Sequence, residues 1–338
     1  MRLHARTLLT PFALAAVLAT AACGDSGSSG TGGSQASGSA SGDACAPVPG
    51  DQLVVLEDDQ QLQNADNIVP AVNSATAAAN PAVLDTLNAV SAALTTEDLI
   101  QMNAAVDVER QSAADVAAAY VEDEGLADGV SGGSGPIVVG GSNFTESTVL
   151  ANVYADVLTA AGFQATVQEV GNRELYLQAL RSGQIQVFPE YLSTVTDFIN
   201  RLADVNGPDA ESIASPEADA TLEALAPIAE QVGLTFGEPS DATDQNAFAV
   251  TQELADSLGV TTLSELTDAC GDGSLVLGGP PECPERLQCQ LGLEDTYGLD
   301  FASFTELDAG GPLTKAAIQQ GEVSIGLVFS SDGALAQG

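Results

Sequence analysis

Tryptophan is absent from the 338 residues, histidine occurs once, at His4, and lysine and arginine together number eight against forty-seven acidic residues. Each shortage closes a class of function. His4 falls in an amino-terminal segment that reads as a removable signal, so the remaining chain has no imidazole to act as general base or metal ligand. Hydrolase and zinc-enzyme readings thereby lose their usual parts. A formal net charge of −39 leaves too few cations to neutralise phosphates, which excludes nucleic acid as a partner; such acidity is that of a solvated surface. The carboxylates are numerous, yet spacing sets no acid–base pair apart. No catalytic residue, cofactor or metal site is therefore assigned.

At the amino end, Arg2 and Arg6 precede an apolar run through Pro11–Leu18, and small residues lead into Cys23. That is the pattern of a secretory signal over residues 1–22. Ala21-Ala22-Cys23 resembles a bacterial lipobox, with Thr20 where leucine is usual, and implies a lipid on Cys23. Residues 23–44 are mostly glycine and serine and too polar to fold; as a coil, the stretch reaches about 25 Å, which suits a membrane tether. No later run is long and apolar enough to span a bilayer. Cys45, Cys270, Cys283 and Cys289 remain, an even set that points to disulfides in an exported chain. Cys283 with Cys289 is the natural loop staple, leaving Cys45 with Cys270, but three pairings are possible and spacing does not choose. A four-thiolate zinc site is the alternative, and no CxxC knuckle supports it.

Pro136–Thr194 is the most informative stretch. Ile137–Gly140 reads as a buried strand, followed by a helix in which Asn143 caps and Glu146 completes a capping box. Apolar residues recur at helical spacing from Leu150 to Ala161. Gln164–Glu169 alternates like a strand, Leu175–Leu180 is helical, and Ile185–Phe188 is a third strand. This β-α-β-α-β order makes the strands parallel. Three loops, 141–147, 170–174 and 189–194, then leave the carboxyl ends of strands, the edge where open parallel sheets bind ligands.

Elsewhere Leu53–Leu56 reads as a strand, 60–80 as irregular and punctuated by Pro70, and Val83–Tyr120 as three helices, the second capped by Thr95. DGVSGGSG at 128–135 is a flexible joint. The second half repeats the construction: strands at Asn246–Val250, Ser274–Leu277, Phe301–Leu307 and Val323–Phe329, with helices begun by Thr262 and by Pro312 in a first turn. Two similar α/β lobes facing a cleft is the economical picture.

The pieces GGSNFTES (140–147), GNREL (171–175), QALRSGQIQVFPEYLST (178–194), NAFAV (246–250), GPPECPERLQCQLGLEDTYGL (279–299) and FSSDG (329–333) resemble the substrate-binding proteins of osmoprotectant ABC importers, the glycine betaine/carnitine/choline family. The resemblance implies a two-lobed periplasmic-binding-protein fold of type II, without catalysis, partnered by a membrane permease and a cytoplasmic ATPase. In such proteins, pieces resembling LVVLEDD and the helices of 95–126 follow the serine–aspartate turn; here they precede the domain they complete. The expected reading is a circular permutation. Residues 45–127 form the carboxyl-terminal part of lobe 1, 128–135 the joint, 136–243 the core of lobe 1, 244–329 lobe 2, and 330–338 a return to lobe 1. Leu53–Leu56 is thus expected in the sheet that holds Ile137–Gly140.

The family boxes a quaternary ammonium with aromatic rings, whose π-faces compensate a cation unable to donate hydrogen bonds. By the resemblance, Tyr191 is one wall, and Phe248 and Phe329 stand where tyrosine is more usual. The 279–292 loop offers no ring, with Gln290 or Leu287 nearest the fourth wall. Thr194 and Ser147, near helix N-termini, are the donors for a ligand carboxylate, with Asn143, Asn246 and Arg173 as further candidates. Asn143 and Arg173 also have structural readings, as cap and loop brace; Phe144 and Phe188 read as core. Simple glycine betaine, carnitine, choline and larger betaines such as ergothioneine all remain candidate ligands. A sensor or scaffold lipoprotein of the same fold, or a binder of an amino acid or another small zwitterion, is the competing function.

Overall fold

In the computed structural model, which describes residues 44–171 and 173–337, ten strands sort into two five-stranded sheets. The signal over 1–22, the lipidation site Cys23 and the linker up to residue 43 lie outside the described residues. In chain order the strands are β1 Leu53–Leu56, β2 Ile68–Asn73, β3 Pro136–Gly141, β4 Gln164–Glu169, β5 Val187–Tyr191, β6 Leu234–Phe236, β7 Asn246–Thr251, β8 Asp272–Gly279, β9 Asp300–Glu306 and β10 Ile325–Phe329. One sheet runs β6-β2-β5-β3-β4, the other β1-β7-β10-β8-β9.

The two orders carry the same directions. In each sheet the first two junctions are antiparallel and the last two parallel. The expected parallel unit β3-β4-β5 is present, and so is the repetition of one construction in two lobes. In lobe 1 the sheet is covered on both faces. Ile68, Val72, Val139 and Val187 join a core with the helices Ala82–Ala93, Thr96–Asp107, Ala113–Asp123 and Thr145–Ala160. Val69, Ala71 and Phe188 point the other way, to Arg173–Ser182, Leu192–Asn200 and Ala218–Val232. The period-2 alternation of strand side chains requires this split. Local signals set several helix starts: Thr95 with Asp98 and Thr262 with Glu265 form complete capping boxes, and Pro312 opens its helix.

Three expectations are corrected. Leu53–Leu56 does not join the sheet of Ile137–Gly140; it pairs antiparallel with β7, Leu53 opposite Thr251 and Leu56 opposite Phe248. Lobe 2 therefore takes the beginning of the 45–127 segment, and the chain enters lobe 1 only at β2. Residues 60–80 are not irregular throughout, since they contain β2 and the helix Ser74–Ala79. Pro70 is tolerated inside this central strand because it faces Pro189 across β5, while its own carbonyl accepts from the Gly237 amide on the opposite side. Its missing N–H thus falls at the end of β6 and removes no rung to β5. Third, Asn143 caps nothing: the cap position is Phe144, which provides no side-chain bond, and Glu146 is buried rather than capping. The short strand β6 was also not expected.

Close packing explains Gly140. A Cβ there would lie 2.6 Å from Ile185 Cδ1 and 2.8 Å from Phe188 Cδ2, so these two side chains, just before and on β5, fill the space that a side chain at 140 would need.

Both disulfides are formed as the loop-staple reading pairs them, Cys45–Cys270 and Cys283–Cys289, across sequence separations of 225 and 6. Chain entropy makes the long closure worth about 5 kcal/mol and the short one about 2 kcal/mol at most. Cys45→Ser with Cys270→Ser is therefore expected to lower the urea midpoint clearly more than Cys283→Ser with Cys289→Ser. Equal losses would show that loop length does not set their contributions.

Candidate functional site

Because β2 is antiparallel to β5, it begins where β5 ends, with Ile68 opposite Tyr191. Likewise β7 begins where β10 ends, with Asn246 opposite Phe329. The segments that precede β2 and β7 are the crossings between lobes, and they run antiparallel to one another through an Asn67–Thr243 bridge. Ser330 fastens this hinge: its hydroxyl donates to the Thr243 carbonyl at 2.9 Å and accepts from the Gln245 amide at 3.0 Å.

Beside the hinge opens a cleft of about 880 Å³, within the range of small-molecule sites. Lobe 1 lines it with Arg173, Ser193, Thr194 and Phe198, lobe 2 with Asn246, Arg286, Gln288 and Phe329, and the crossings with Asp66 and Asp244. A second cavity of about 250 Å³ adjoins it, shared through Asp244 and Phe329 and bounded also by Phe144, Glu146, Lys315 and Asp332. All three loops expected at the strand ends contribute to one cavity or the other.

Four of the expected residues, Arg173, Thr194, Asn246 and Phe329, are thus brought to one cleft. Phe329 is 38% exposed. Arg173 is held from beneath: Nη2 donates to Glu190 Oε2 at 2.8 Å and Nε to the Tyr176 hydroxyl at 2.8 Å, and that hydroxyl donates on to Glu190 Oε1 at 2.7 Å. Glu190 is fully buried, and its charge keeps the Arg173 guanidinium protonated, against the burial that opposes it. This is a brace that shows one face to the cleft. Asn246 Nδ2 donates to the Gln288 carbonyl at 3.2 Å.

Tyr191 is buried behind the second cavity, 6.2 Å from the Phe144 ring, and its hydroxyl donates to Glu146 Oε1 at 2.8 Å. Asn103 Nδ2 donates to the other oxygen of Glu146 and to the Ser331 carbonyl, each at 2.8 Å. Burial raises the Glu146 carboxyl, and burial followed by the nearby Glu146 charge raises the Tyr191 phenol.

The remaining expected residues fall elsewhere. Phe248 is 1% exposed and packs in the lobe 2 core with Leu56 and Leu263, because its position on β7 faces inward. Ser147 is equally buried, and its hydroxyl accepts the Ser142 amide at 2.9 Å. Asn143 is exposed and lines neither cavity. Gln290 turns along its own helix to Glu294 at 2.7 Å; Arg286 and Gln288 reach the cleft from that loop instead. Phe188 is core, stacked on Tyr176 at 3.8 Å, but Phe144 is 46% exposed on the second cavity and corrects its assignment to the core.

Sequence reasoning missed Phe198, Asp66 and Asp244. Phe198 sits on the cleft face of the Leu192–Asn200 helix, with the Arg173 guanidinium 5.9 Å from its ring centre. Asp66 accepts the Thr194 amide at 2.9 Å and the Thr194 hydroxyl as well, so an internal carboxylate already occupies this helix N-terminus. Asp244 carries a buried Oδ1 with no hydrogen-bond partner. Burial, then repulsion from Glu146, holds its carboxyl well above the ordinary range.

A pair of lobes closing on a cleft beside antiparallel crossings defines a solute-binding protein. The chain belongs to the OpuAC family, the substrate binding domain of ABC-type glycine betaine transport system, which it matches over residues 48–123 and 135–337. That is a transport family and not an enzyme family. The chain is 26% identical over 206 residues to the glycine-betaine-binding protein of Pseudomonas aeruginosa, covering 58% of this chain and 62% of that relative. A solved structure described as a glycine betaine/carnitine/choline ABC transporter aligns with 19% identity and a TM-score of 0.44 over 60% of this chain and 70% of its own.

Burial lifts the Asp66 carboxyl from its ordinary 3.8 to about 6, despite the two Thr194 hydrogen bonds that act in the lowering direction. Between those values the folded protein holds a proton that the unfolded chain has released. This group therefore makes the fold more stable as pH falls from 7 toward 5. Asp66→Asn is expected to flatten the rise in urea stability over that interval; identical slopes in the two proteins would remove Asp66 as its source.

Proposed function

We propose that this chain is the extracytoplasmic solute-binding component of an ABC importer, tethered by a lipid on Cys23. It captures a quaternary-ammonium compatible solute between its lobes and presents it to a permease driven by an ATPase. The observation that carries the reading is the cleft at the hinge, where rings from two lobes, Phe198 and Phe329, line one cavity with carboxylates from the crossings. Anionic groups and π-faces are the two chemistries that hold a permanent cation, each ring contributing on the order of 0.5–2 kcal/mol. Bound solute shifts the lobes toward closure only by its greater affinity for the closed form. Among the described residues, no helix is long and apolar enough to cross a membrane, in keeping with attachment through the amino end.

Isothermal titration with choline, glycine betaine, carnitine and ergothioneine tests the ligand class; heat from none of them would sink it. Phe329→Ala is expected to weaken the bound compound by about 0.5–2 kcal/mol, roughly 2- to 30-fold. Phe248→Ala should chiefly lower stability, by about 3–5 kcal/mol, as for a core phenylalanine. The reverse pattern would return Phe248 to the site.

The segment order is read as a circular permutation, with β1 now assigned to lobe 2. Leu335, in the last described turn, packs against the cluster that contains Leu53, so the end and the beginning of the folded part are neighbours. The two family matches are separated by residues 124–134, which include most of the flexible joint. A chain rearranged as residues 135–338 followed by 45–127 is expected to fold with a midpoint within about 5 °C of the natural order, one or two kcal/mol at this size. Failure of that chain to fold would count against the reordering.

A further inference from the structure

Carboxylates gather in the cleft, and the two hydroxyls expected to receive a ligand carboxylate, Thr194 and Ser147, are already engaged, which leaves neutral side chains such as Ser193 and Gln288 as donors on the cleft wall. Thr194 gives both its amide and its hydroxyl to Asp66. Ser147 is buried against the Ser142 amide. Each cation lining the two cavities has a partner within the protein: Arg173 with Glu190, Arg201 with Asp197, Arg286 with Glu282, and Lys315 with both oxygens of Asp332 at 2.9 and 2.6 Å. An arriving carboxylate would compete with these internal carboxylates for the same cations.

The acceptors are in the opposite condition. Asp244 lies at the junction of the two cavities, lines both, and keeps one buried oxygen without any donor. Phe329 borders the same two cavities and offers the apolar face that methyl groups require. Among the described residues no group of three or more histidine, cysteine, aspartate or glutamate side chains is arranged to hold a metal ion. An unpaired buried acceptor beside like charges is relieved by a ligand with positive charge and a hydrogen-bond donor. A quaternary nitrogen supplies the charge but cannot donate, so the donor must be elsewhere on the solute.

We propose that Asp244 is a specificity-determining residue that makes the cleft prefer a net cation bearing an O–H or N–H donor over a zwitterion bearing a carboxylate. The proposal rests on the quaternary-ammonium reading above and narrows it. In a complex of this kind the Asp244 Oδ1 accepts from the solute hydroxyl, the trimethylammonium lies against Phe329, and Asp66 remains on Thr194. The same arrangement places a zwitterion's carboxylate beside Asp66 and Asp244, where whichever of these side chains is ionised repels it.

Choline and glycine betaine form a matched pair of probes, sharing the trimethylammonium and differing in hydroxyl against carboxylate. Titration calorimetry on the full chain is expected to give choline an affinity at least tenfold above glycine betaine. In Asp244→Asn, and in Asp244→Ser should the first variant fold poorly, that ratio should fall by tenfold or more. Glycine betaine binding as tightly as choline to the native chain overturns the proposal while leaving the quaternary-ammonium reading intact. So does a ratio unmoved by either substitution. Binding of neither compound overturns both.

Discussion

Two strands that enter their sheets against the direction of their neighbours set the terms for everything else. A strand running antiparallel to β5 or β10 must start where that neighbour finishes. The start of β2 and the start of β7 are therefore at the rim of the cleft, and so are the residues just before them. Those residues are also the crossings between lobes. The hinge and the candidate cleft consequently share this pair of segments, which carry Asp66 and Asp244.

Charge is distributed so that stability and recognition use different carboxylates. Glu190 is fully buried and fully matched by Arg173, Tyr176 and the Tyr191 amide, which makes it part of the lobe's framework. Glu146 is buried too, and it joins Tyr191 and Asn103 across to Ser331 in the returning segment. Asp244 is the one of these acids that retains an unanswered oxygen. Unequal satisfaction within one patch of acidic residues separates the structural members from the one available to a guest.

Much of this was readable from the chain. Alternation and capping residues located β3, β4, β5, β7, β8, β9 and β10 to within a residue or two at most ends, and the strand-end rule drew attention to Arg173 and Thr194. The rule failed at Asp66 and Asp244 because it describes parallel strands, whereas β2 and β7 present their beginnings to the cleft. Nor was β2 itself visible: a strand buried on both faces shows no alternation, and Pro70 reads as a break unless the register with Pro189 is known. Phe248 misled for a related reason. A one-residue difference in facing sends a strand side chain to the core, and the family likeness carried the residue type without its direction.

The bond between Cys45 and Cys270 has a mechanical meaning. Force arriving along the polypeptide from upstream of Cys45 passes through sulfur into the end of the Leu263–Cys270 helix before it can reach the short ladder between β1 and β7. The linkage works as strain relief does on a cable. It fixes Cys45 to lobe 2, so that the rungs holding the first strand in place are not the first to take the load.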